Sequence, residues 1–157
     1  MQLAKQETPE MVTLPFYEVR KLRARLIMEE ALETIEALGF HVYAHDAYEG
    51  EALTMGDKDI PGLLFEEVCL PDDPMNSLVA IADGCADLKV VTTGTLIACG
   101  IPDVKLQLLV DENNLGKFGP GHSIREDGKL IKPEGHKPPD IRRFLEEVMG
   151  AQNHSSL

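Results

Sequence analysis

The feature of this sequence that most constrains its fold is an apolar stretch, residues 76–99, whose only charged members are Asp83, Asp87 and Lys89. A run of this length without proline is typical of a long helix. At about 100° per residue, the two aspartates share one face of that helix with apolar residues such as Val90. Because burying an unpaired carboxylate is costly and two carboxylates repel each other, the sequence predicts something that compensates this pair.

The chain as a whole predicts an all-α fold, a small helical bundle with a short hairpin or loop insertions. Aspartate, proline and glycine mark the expected helix ends. The four helices are expected from about Thr13 to Gly39, from Asp73-Pro74 to just before Gly100, from Pro102 to about Asn114, and from about Asp140 to Met149.

Shorter segments separate these helices. Residues 40–53 alternate apolar and polar side chains, which predicts a hairpin or an extended insertion. Residues 63–68 are expected to form a short helix, and Asp127-Gly128 a tight hairpin turn. The predicted organisation is a flexible arm over residues 1–12, one domain over 13–150 and a disordered tail over 151–157.

The charge balance limits the partners of the chain. The net charge is −12, and a face that binds nucleic acid requires clustered Lys and Arg, so we expect no nucleic-acid partner. The longest apolar stretch carries three charges and the first residues are polar, which predicts no membrane span and a cytoplasmic protein.

The first predicted helix carries a second acidic group, within an arc of about 120° opposite its apolar stripe. This arc is compatible with an ordinary solvated face. However, Leu22 and Leu26 lie on the same arc, and like charges one turn apart destabilise a bare helix, so we expect the arc to be covered. The members of the group are Glu29, Glu30, Glu33 and Glu36.

The sequence is compatible with two roles for the aspartate pair, one structural and one as metal ligands. Hydroxyl groups, or Arg20, Arg23 or Arg25 of the first helix, would satisfy them as a structural pair. Alternatively, carboxylates on two facing helices would hold a hard divalent cation, which prefers oxygen ligands and keeps waters that phosphates replace. The pairing of the two clusters favours the divalent-metal hypothesis.

Several segments in order carry a resemblance to a known superfamily. The run 29–33 reads EExxE, and a second acidic helix and a Gly-Thr-rich segment follow it. With three later segments, this order resembles the MazG-like all-α nucleoside triphosphate pyrophosphohydrolases, which include phosphoribosyl-ATP pyrophosphohydrolase. The resemblance covers about residues 16–148 and is strongest to phage-type members. Its further segments are Ile81–Leu88, Glu112–Gly119, Asp127-Gly128-Lys129 and Pro138–Ile141.

The chain departs from the superfamily at one position. The second acidic motif is usually ExxD, but the residue three before Asp87 is Gly84. The resemblance therefore implies that Asp83, one residue earlier, takes over the role of that glutamate.

The resemblance implies hydrolysis of a nucleoside triphosphate to the monophosphate and pyrophosphate, with Mg²⁺ as cofactor and Mn²⁺ as a substitute. It implies a homodimer or homotetramer. One phage subgroup, the MazZ-like enzymes, removes dGTP, so dGTP is the substrate expected first, in remodelling of a nucleotide pool. The implied metal ligands are Glu30, Glu33, Asp83 and Asp87. The implied catalytic residues are Glu29, Glu30, Glu33 and Asp87, with Glu29 as general base or ligand of a further metal. The implied substrate contacts are Asn114, Lys117, Arg125, Lys129 and Lys132.

Two other classes compete with this enzyme. One is a non-catalytic acidic helical protein that binds a metal or a basic partner. The other is a di-iron carboxylate bundle, which normally requires Glu-x-x-His on paired helices. Neither acidic helix contains a histidine, so the di-iron class ranks last.

Overall fold

The protein is mostly helical, which confirms the all-α class. The structure is a computed structural model and describes residues 8–44, 63–118, 122–126, 130–133 and 135–155. Its helices are α1 (Tyr17–Ala37), α2 (Pro74–Ala98), α3 (Asp103–Leu115) and α4 (Ile141–Ser155), and a 3₁₀ turn, Gly116–Phe118, follows α3.

Two small antiparallel sheets decorate the helices. Strand β1 (Phe40–Ala44) pairs with β2 (Leu63–Glu67), and β3 (Ser123–Ile124) pairs with β4 (Leu130–Ile131). The first pair confirms extended structure over residues 40–44, whereas residues 45–53 of the predicted hairpin or insertion lie outside the described residues. It also shows that the short helix expected over residues 63–68 is wrong, because β1 supplies hydrogen-bond partners that a single helical turn would lack. The predicted turn at 127–128 lies outside the described residues.

Local signals set the ends of α2. Asp73 Oδ1 accepts a hydrogen bond from the Met75 backbone N–H at 3.0 Å, and Pro74 occupies the first helical position, as predicted. At the other end, Gly100 has a φ of 68°, a left-handed conformation that costs glycine little and other residues more. The apolar stretch therefore forms one helix between these two signals.

Helix α4 is longer than predicted. It continues through Gly150 to Ser155, so the disordered tail expected from residue 151 is helical over its first five residues. A glycine inside a helix costs about 1 kcal/mol relative to alanine, and it does not by itself end the helix. Gln152 Oε1 accepts a hydrogen bond from the Val12 backbone N–H at 3.0 Å, a non-local contact that helps to hold both segments.

The chain divides into two compact units. One unit comprises residues 16–94, and the other joins residues up to 15 with those from 95 onward. Among the described residues, Val91 and Ala98 are the only buried hydrophobic side chains. In the described chain, no single helix has the length and apolar character to span a membrane; α2 with the bent segment that follows it passes that test by length and composition only.

Candidate active site

The site begins where α1 and α2 approach each other closely. Thr34 is 6% exposed, and its Oγ1 donates a hydrogen bond to the Glu30 carbonyl at 2.6 Å. A Cβ added at Gly84 would lie 2.6 Å from Thr34 Oγ1 and 3.1 Å from Thr34 Cα. Because the second distance involves backbone, a small rotamer change would not relieve the clash. Glycine is therefore the residue that this contact accommodates.

This contact explains the departure from the usual ExxD pattern. Gly84 stands where the superfamily usually carries the glutamate, and its surroundings have no space for a longer side chain. Asp83 is adjacent to it in sequence, and Asp87 lies about one turn further along α2.

A row of small side chains forms the side of α2 that carries this contact. Ser77, Val91 and Ala98 are buried and Gly84 is half-buried, so the row recurs at every seventh residue. A second close approach follows, where a Cβ at Gly94 would lie 2.8 Å from Arg23 Nη1. Small residues at this spacing let a neighbouring helix come near along its length. The row was not recognised from the sequence, although its seven-residue spacing was visible there.

The acidic side chains of both helices contribute to a raised pKa of Glu30. Burial raises the pKa of Glu30 above its usual 4.5, and the charges of Asp87, Glu33, Glu29 and Asp83, in that order, raise it further. The structure thus brings Glu29, Glu30 and Glu33 of α1 near Asp83 and Asp87 of α2 in one acidic cluster, whereas Glu36 lies 3.2 Å from His41. Asp87 has the strongest effect of the four charges and Asp83 the weakest.

The expected burial of the aspartates is wrong. Asp83 and Asp87 are exposed on α2, as are Glu29 and Glu33 on α1, while Glu30 is half-buried. Val90, which shares a face with the aspartates, is 66% exposed. The row of small residues, and not the face with the aspartates, packs within the chain. Mutual repulsion, rather than desolvation of Asp83 and Asp87, is therefore the energetic problem of the pair.

The chemistry of the cluster suits a hard divalent cation. Its donors are carboxylate oxygens, which Mg²⁺ and Mn²⁺ prefer over softer metals. Burial first, and then the negative charges around it, raise the pKa of Glu30, and a cation would neutralise those charges. Among the described residues, no three His, Cys, Asp or Glu side chains converge closely enough to hold a metal ion as they stand. Binding would therefore require rotation of the exposed carboxylates.

Two of the predicted substrate contacts, Asn114 and Lys117, meet each other in the second unit. Lys117 Nζ, in the turn after α3, donates a hydrogen bond to Asn114 Oδ1, and both residues are half-buried. Arg125 is half-buried and Lys132 is exposed. Lys129 lies outside the described residues.

Asn113, next to Asn114, makes further polar contacts that the sequence did not predict. Asn113 donates a hydrogen bond from Nδ2 to the Lys137 carbonyl at 2.8 Å, and its Oδ1 lies 3.2 Å from His136 Nε2. These contacts attach the segment before α4 to the end of α3. The run Asn113-Asn114 was the available signal, because two adjacent amides near a helix end commonly bond to the backbone of neighbouring segments.

Together, the helical architecture and the acidic cluster define an all-α protein whose carboxylates gather on two adjacent helices. The chain belongs to the phosphoribosyl-ATP pyrophosphohydrolase family: the sequence model of that family matches residues 1–112. This family is part of the MazG-like superfamily, which confirms the resemblance. A comparison with curated proteins gave no significant match.

Family membership assigns a reaction class and covers only part of the predicted site. The class is hydrolysis of nucleotide phosphoanhydride bonds, usually dependent on a divalent metal. The matched residues 1–112 include every residue of the acidic cluster. Asn114, Lys117 and the later basic residues lie beyond the match, and their roles remain predictions.

The melting temperature of a Glu30 variant tests the acidic cluster without an activity assay. The folded pKa of Glu30 is raised, so the folded state binds a proton more tightly than the unfolded chain does. The stabilisation from this proton is complete below the unfolded value of 4.5 and is lost as the pH rises through the raised folded pKa. Without divalent cations, we therefore expect Glu30→Gln to melt at a higher temperature than the wild type at about pH 7, with a smaller difference at about pH 4.

Glu146→Gln is the matched control, because Glu146 is an exposed helical glutamate whose ion pair with Arg142, at 3.8 Å, is long. That variant should melt at or slightly below the wild-type temperature. Mg²⁺ should raise the melting temperature of the wild type more than that of Glu30→Gln. A Glu30→Gln variant that melts lower than the wild type at neutral pH would show that Glu30 is not under net repulsion.

Proposed function

We propose that this chain is a Mg²⁺-dependent pyrophosphohydrolase that converts a nucleoside or deoxynucleoside triphosphate to the monophosphate and pyrophosphate. The observation that carries the proposal is the gathering of carboxylates from α1 and α2 beside the contact of Thr34 with Gly84. Four of these carboxylates raise the pKa of the fifth, Glu30. Mn²⁺ is the expected substitute for Mg²⁺.

The ligands would come from both helices, Glu30 and Glu33 from α1 and Asp83 and Asp87 from α2. A bound divalent cation neutralises phosphate charge and lowers the pKa of a coordinated water. Glu29, which belongs to the cluster and is exposed, would accept a proton from the attacking water. The water would add to one phosphorus of the α–β anhydride and the bridging P–O bond would break. The leaving group would take the bonding electron pair, and it is pyrophosphate if the α-phosphorus is attacked and the monophosphate if the β-phosphorus is attacked.

Substrate recognition is the finer part of the proposal. Asn114, Lys117, Arg125, Lys129 and Lys132 are the proposed contacts with the nucleotide. For Lys117, the test is Lys117→Met, which should raise KM by removing a positive charge that phosphates would meet. Removal of dGTP from a phage-altered nucleotide pool in the cytoplasm is the proposed setting.

The family match favours a second substrate, phosphoribosyl-ATP, which carries the same α–β anhydride. A panel of the eight common NTPs and dNTPs plus phosphoribosyl-ATP, each with Mg²⁺, separates the two. We expect release of pyrophosphate, with dGTP turned over fastest, and loss of turnover when EDTA removes the metal. If phosphoribosyl-ATP is turned over faster than dGTP, then phosphoribosyl-ATP, and not dGTP, is the preferred substrate. A folded protein that binds Mg²⁺ and hydrolyses none of them would be the non-catalytic acidic protein.

We also propose that the chain acts as a homodimer or homotetramer. Large apolar side chains stay exposed on the described part of both acidic helices, including Met28 on α1 and Leu78, Val79 and Val90 on α2. Monomeric soluble proteins seldom expose apolar patches of this kind. Light scattering coupled to size-exclusion chromatography should give two or four times the 17.3 kDa mass of one chain.

A further inference from the structure

A groove in the first unit opens directly beside the acidic cluster. Its volume is about 450 Å³, within the range of small-molecule sites in proteins. The last turns of α1 supply Glu33 and Glu36, strand β1 supplies His41, and the first turns of α2 supply Asn76 and Ser77. Because Glu33 belongs both to this groove and to the acidic cluster, a ligand held at the cluster would have the groove within reach.

Ser77 is the unusual member of the groove wall. The residue is 8% exposed, its Oγ is closed off from solvent, and Oγ has no hydrogen-bond partner among the described residues. Buried hydroxyl groups are almost always hydrogen-bonded, because an unpaired one has lost its bonds to water without replacement. A ligand atom in the groove would be a chemically suitable partner for this hydroxyl once the wall side chains that cover Oγ move aside.

His41 is a second polar residue that lines the groove. His41 Nε2 lies 3.2 Å from Glu36 Oε1, and His41 Nδ1 lies 3.3 Å from the Tyr43 hydroxyl. Burial, followed by the charge of Glu66 and a hydrogen bond to it, raises the pKa of Tyr43 above 10.0, so its phenol stays protonated and neutral. The lining of the groove thus includes a serine, an imidazole–carboxylate pair and apolar residues such as Leu70.

On α2, Ser77 lies far enough from the aspartates for a nucleotide to extend between them. Ser77 lies seven residues before Gly84 on α2, which is about 10 Å along the helix axis. Phosphates held at the carboxylates would leave the sugar and base to extend over a distance of this order. Net negative charge on Glu33 and Glu36 disfavours a phosphate in the groove itself, whereas an uncharged nucleoside meets no such repulsion.

We propose that this groove binds the nucleoside part of the substrate, with the Ser77 hydroxyl hydrogen-bonded to a polar atom of the base or sugar. The inference rests on the proposed function for its substrate class. Ser77 is then a residue that determines affinity and specificity, and it takes no part in breaking the anhydride bond.

Titration of the protein with the eight common nucleosides, without phosphate or divalent cation, tests this proposal by NMR chemical-shift changes. At least one nucleoside should shift the signals of groove residues such as His41 and Ala80. Ser77→Ala should weaken its binding about tenfold, which corresponds to about 1.4 kcal/mol. Ser123→Ala, which removes an exposed hydroxyl in the other unit, should leave the binding constant unchanged. Free bases and 2-deoxyribose, as separate arms, show which part of the nucleoside Ser77 contacts.

The melting temperature of Ser77→Ala tests whether the Ser77 hydroxyl has a purely structural role. Since the Ser77 hydroxyl has no described partner and alanine favours helix, Ser77→Ala should melt at or above the wild-type temperature. A drop of several degrees would show a structural hydrogen bond and overturn the proposal. If triphosphates are hydrolysed but no nucleoside shifts the groove signals, the groove proposal fails and the proposed function stands. If a nucleoside binds through Ser77 but no triphosphate is hydrolysed, the catalytic proposal fails alone.

Discussion

Replacement of Asp87 by asparagine is expected to lower kcat/KM for the preferred triphosphate by about 10²–10³-fold or more, the scale of losing one electrostatic group from an active site. Asp87 has the strongest effect of the four charges that act on Glu30. Its carboxylate is the proposed link between α2 and a cation shared with α1, and an amide supplies no negative charge to that cation. Glu33→Gln should cause a loss of the same size, measured by steady-state release of pyrophosphate.

Both variants should keep the wild-type circular dichroism spectrum, because Asp87 and Glu33 are exposed. Asp111→Asn is the matched control: Asp111 is an exposed aspartate on α3 that accepts a hydrogen bond from Gln107 Nε2 at 2.8 Å, and an asparagine oxygen can also accept it. That control should retain full activity. Near-wild-type turnover by Asp87→Asn would refute the assignment of Asp87 as a ligand.

Replacement of Gly84 by alanine is expected to reduce both stability and activity. The added methyl group would sit 2.6 Å from Thr34 Oγ1 and 3.1 Å from Thr34 Cα, so the two helices would have to separate. Overpacking of this kind typically costs about 1–3 kcal/mol. Because the acidic residues flank this contact, separation of the helices would also displace Glu30 and Glu33 from Asp83 and Asp87. We expect a melting temperature lower by several degrees and at least a tenfold loss of kcat/KM.

Gly150→Ala is the control, since a Cβ at Gly150 in α4 would meet no atom within 4 Å among the described contacts. That variant should stabilise the protein by about 0.5–1 kcal/mol, because alanine favours helix over glycine. Equal melting temperatures of Gly84→Ala and the wild type would mean that α1 and α2 do not meet at Thr34 as described.

The acidic cluster illustrates a conflict between stability and function. The charges that raise the pKa of Glu30 also oppose the close approach of α1 and α2 when no cation is present. Active sites commonly accept such costs, because the groups that perform the chemistry are those that repel one another in the empty site. The expected rise in melting temperature of Glu30→Gln and the expected loss of turnover of Asp87→Asn are two consequences of this conflict.

Helix positions were predictable because the signals that set them are local. Asp73 and Pro74 begin α2 and Gly100 follows its end, all as predicted. The strand at 63–67 is not predictable from local signals, because it depends on pairing with β1, about twenty residues earlier in the chain. The sequence predicts an end of α4 near Met149, but the helix continues to Ser155, where Gln152 accepts a hydrogen bond from Val12, a residue distant in sequence.

By itself, the amino-acid sequence determined the all-α class, the family and the identity of the acidic residues, since periodicity, caps and residue order are properties of the chain alone. Only the tertiary structure decided which side of α2 packs against α1. It showed that Gly84 lies against Thr34 and Gly94 against Arg23, both on α1, and that the aspartates stay exposed. The physical reason is that helix packing depends on the volume of the residues at the contact. The clash that a Cβ at Gly84 would make with Thr34 appears only when both helices are in place.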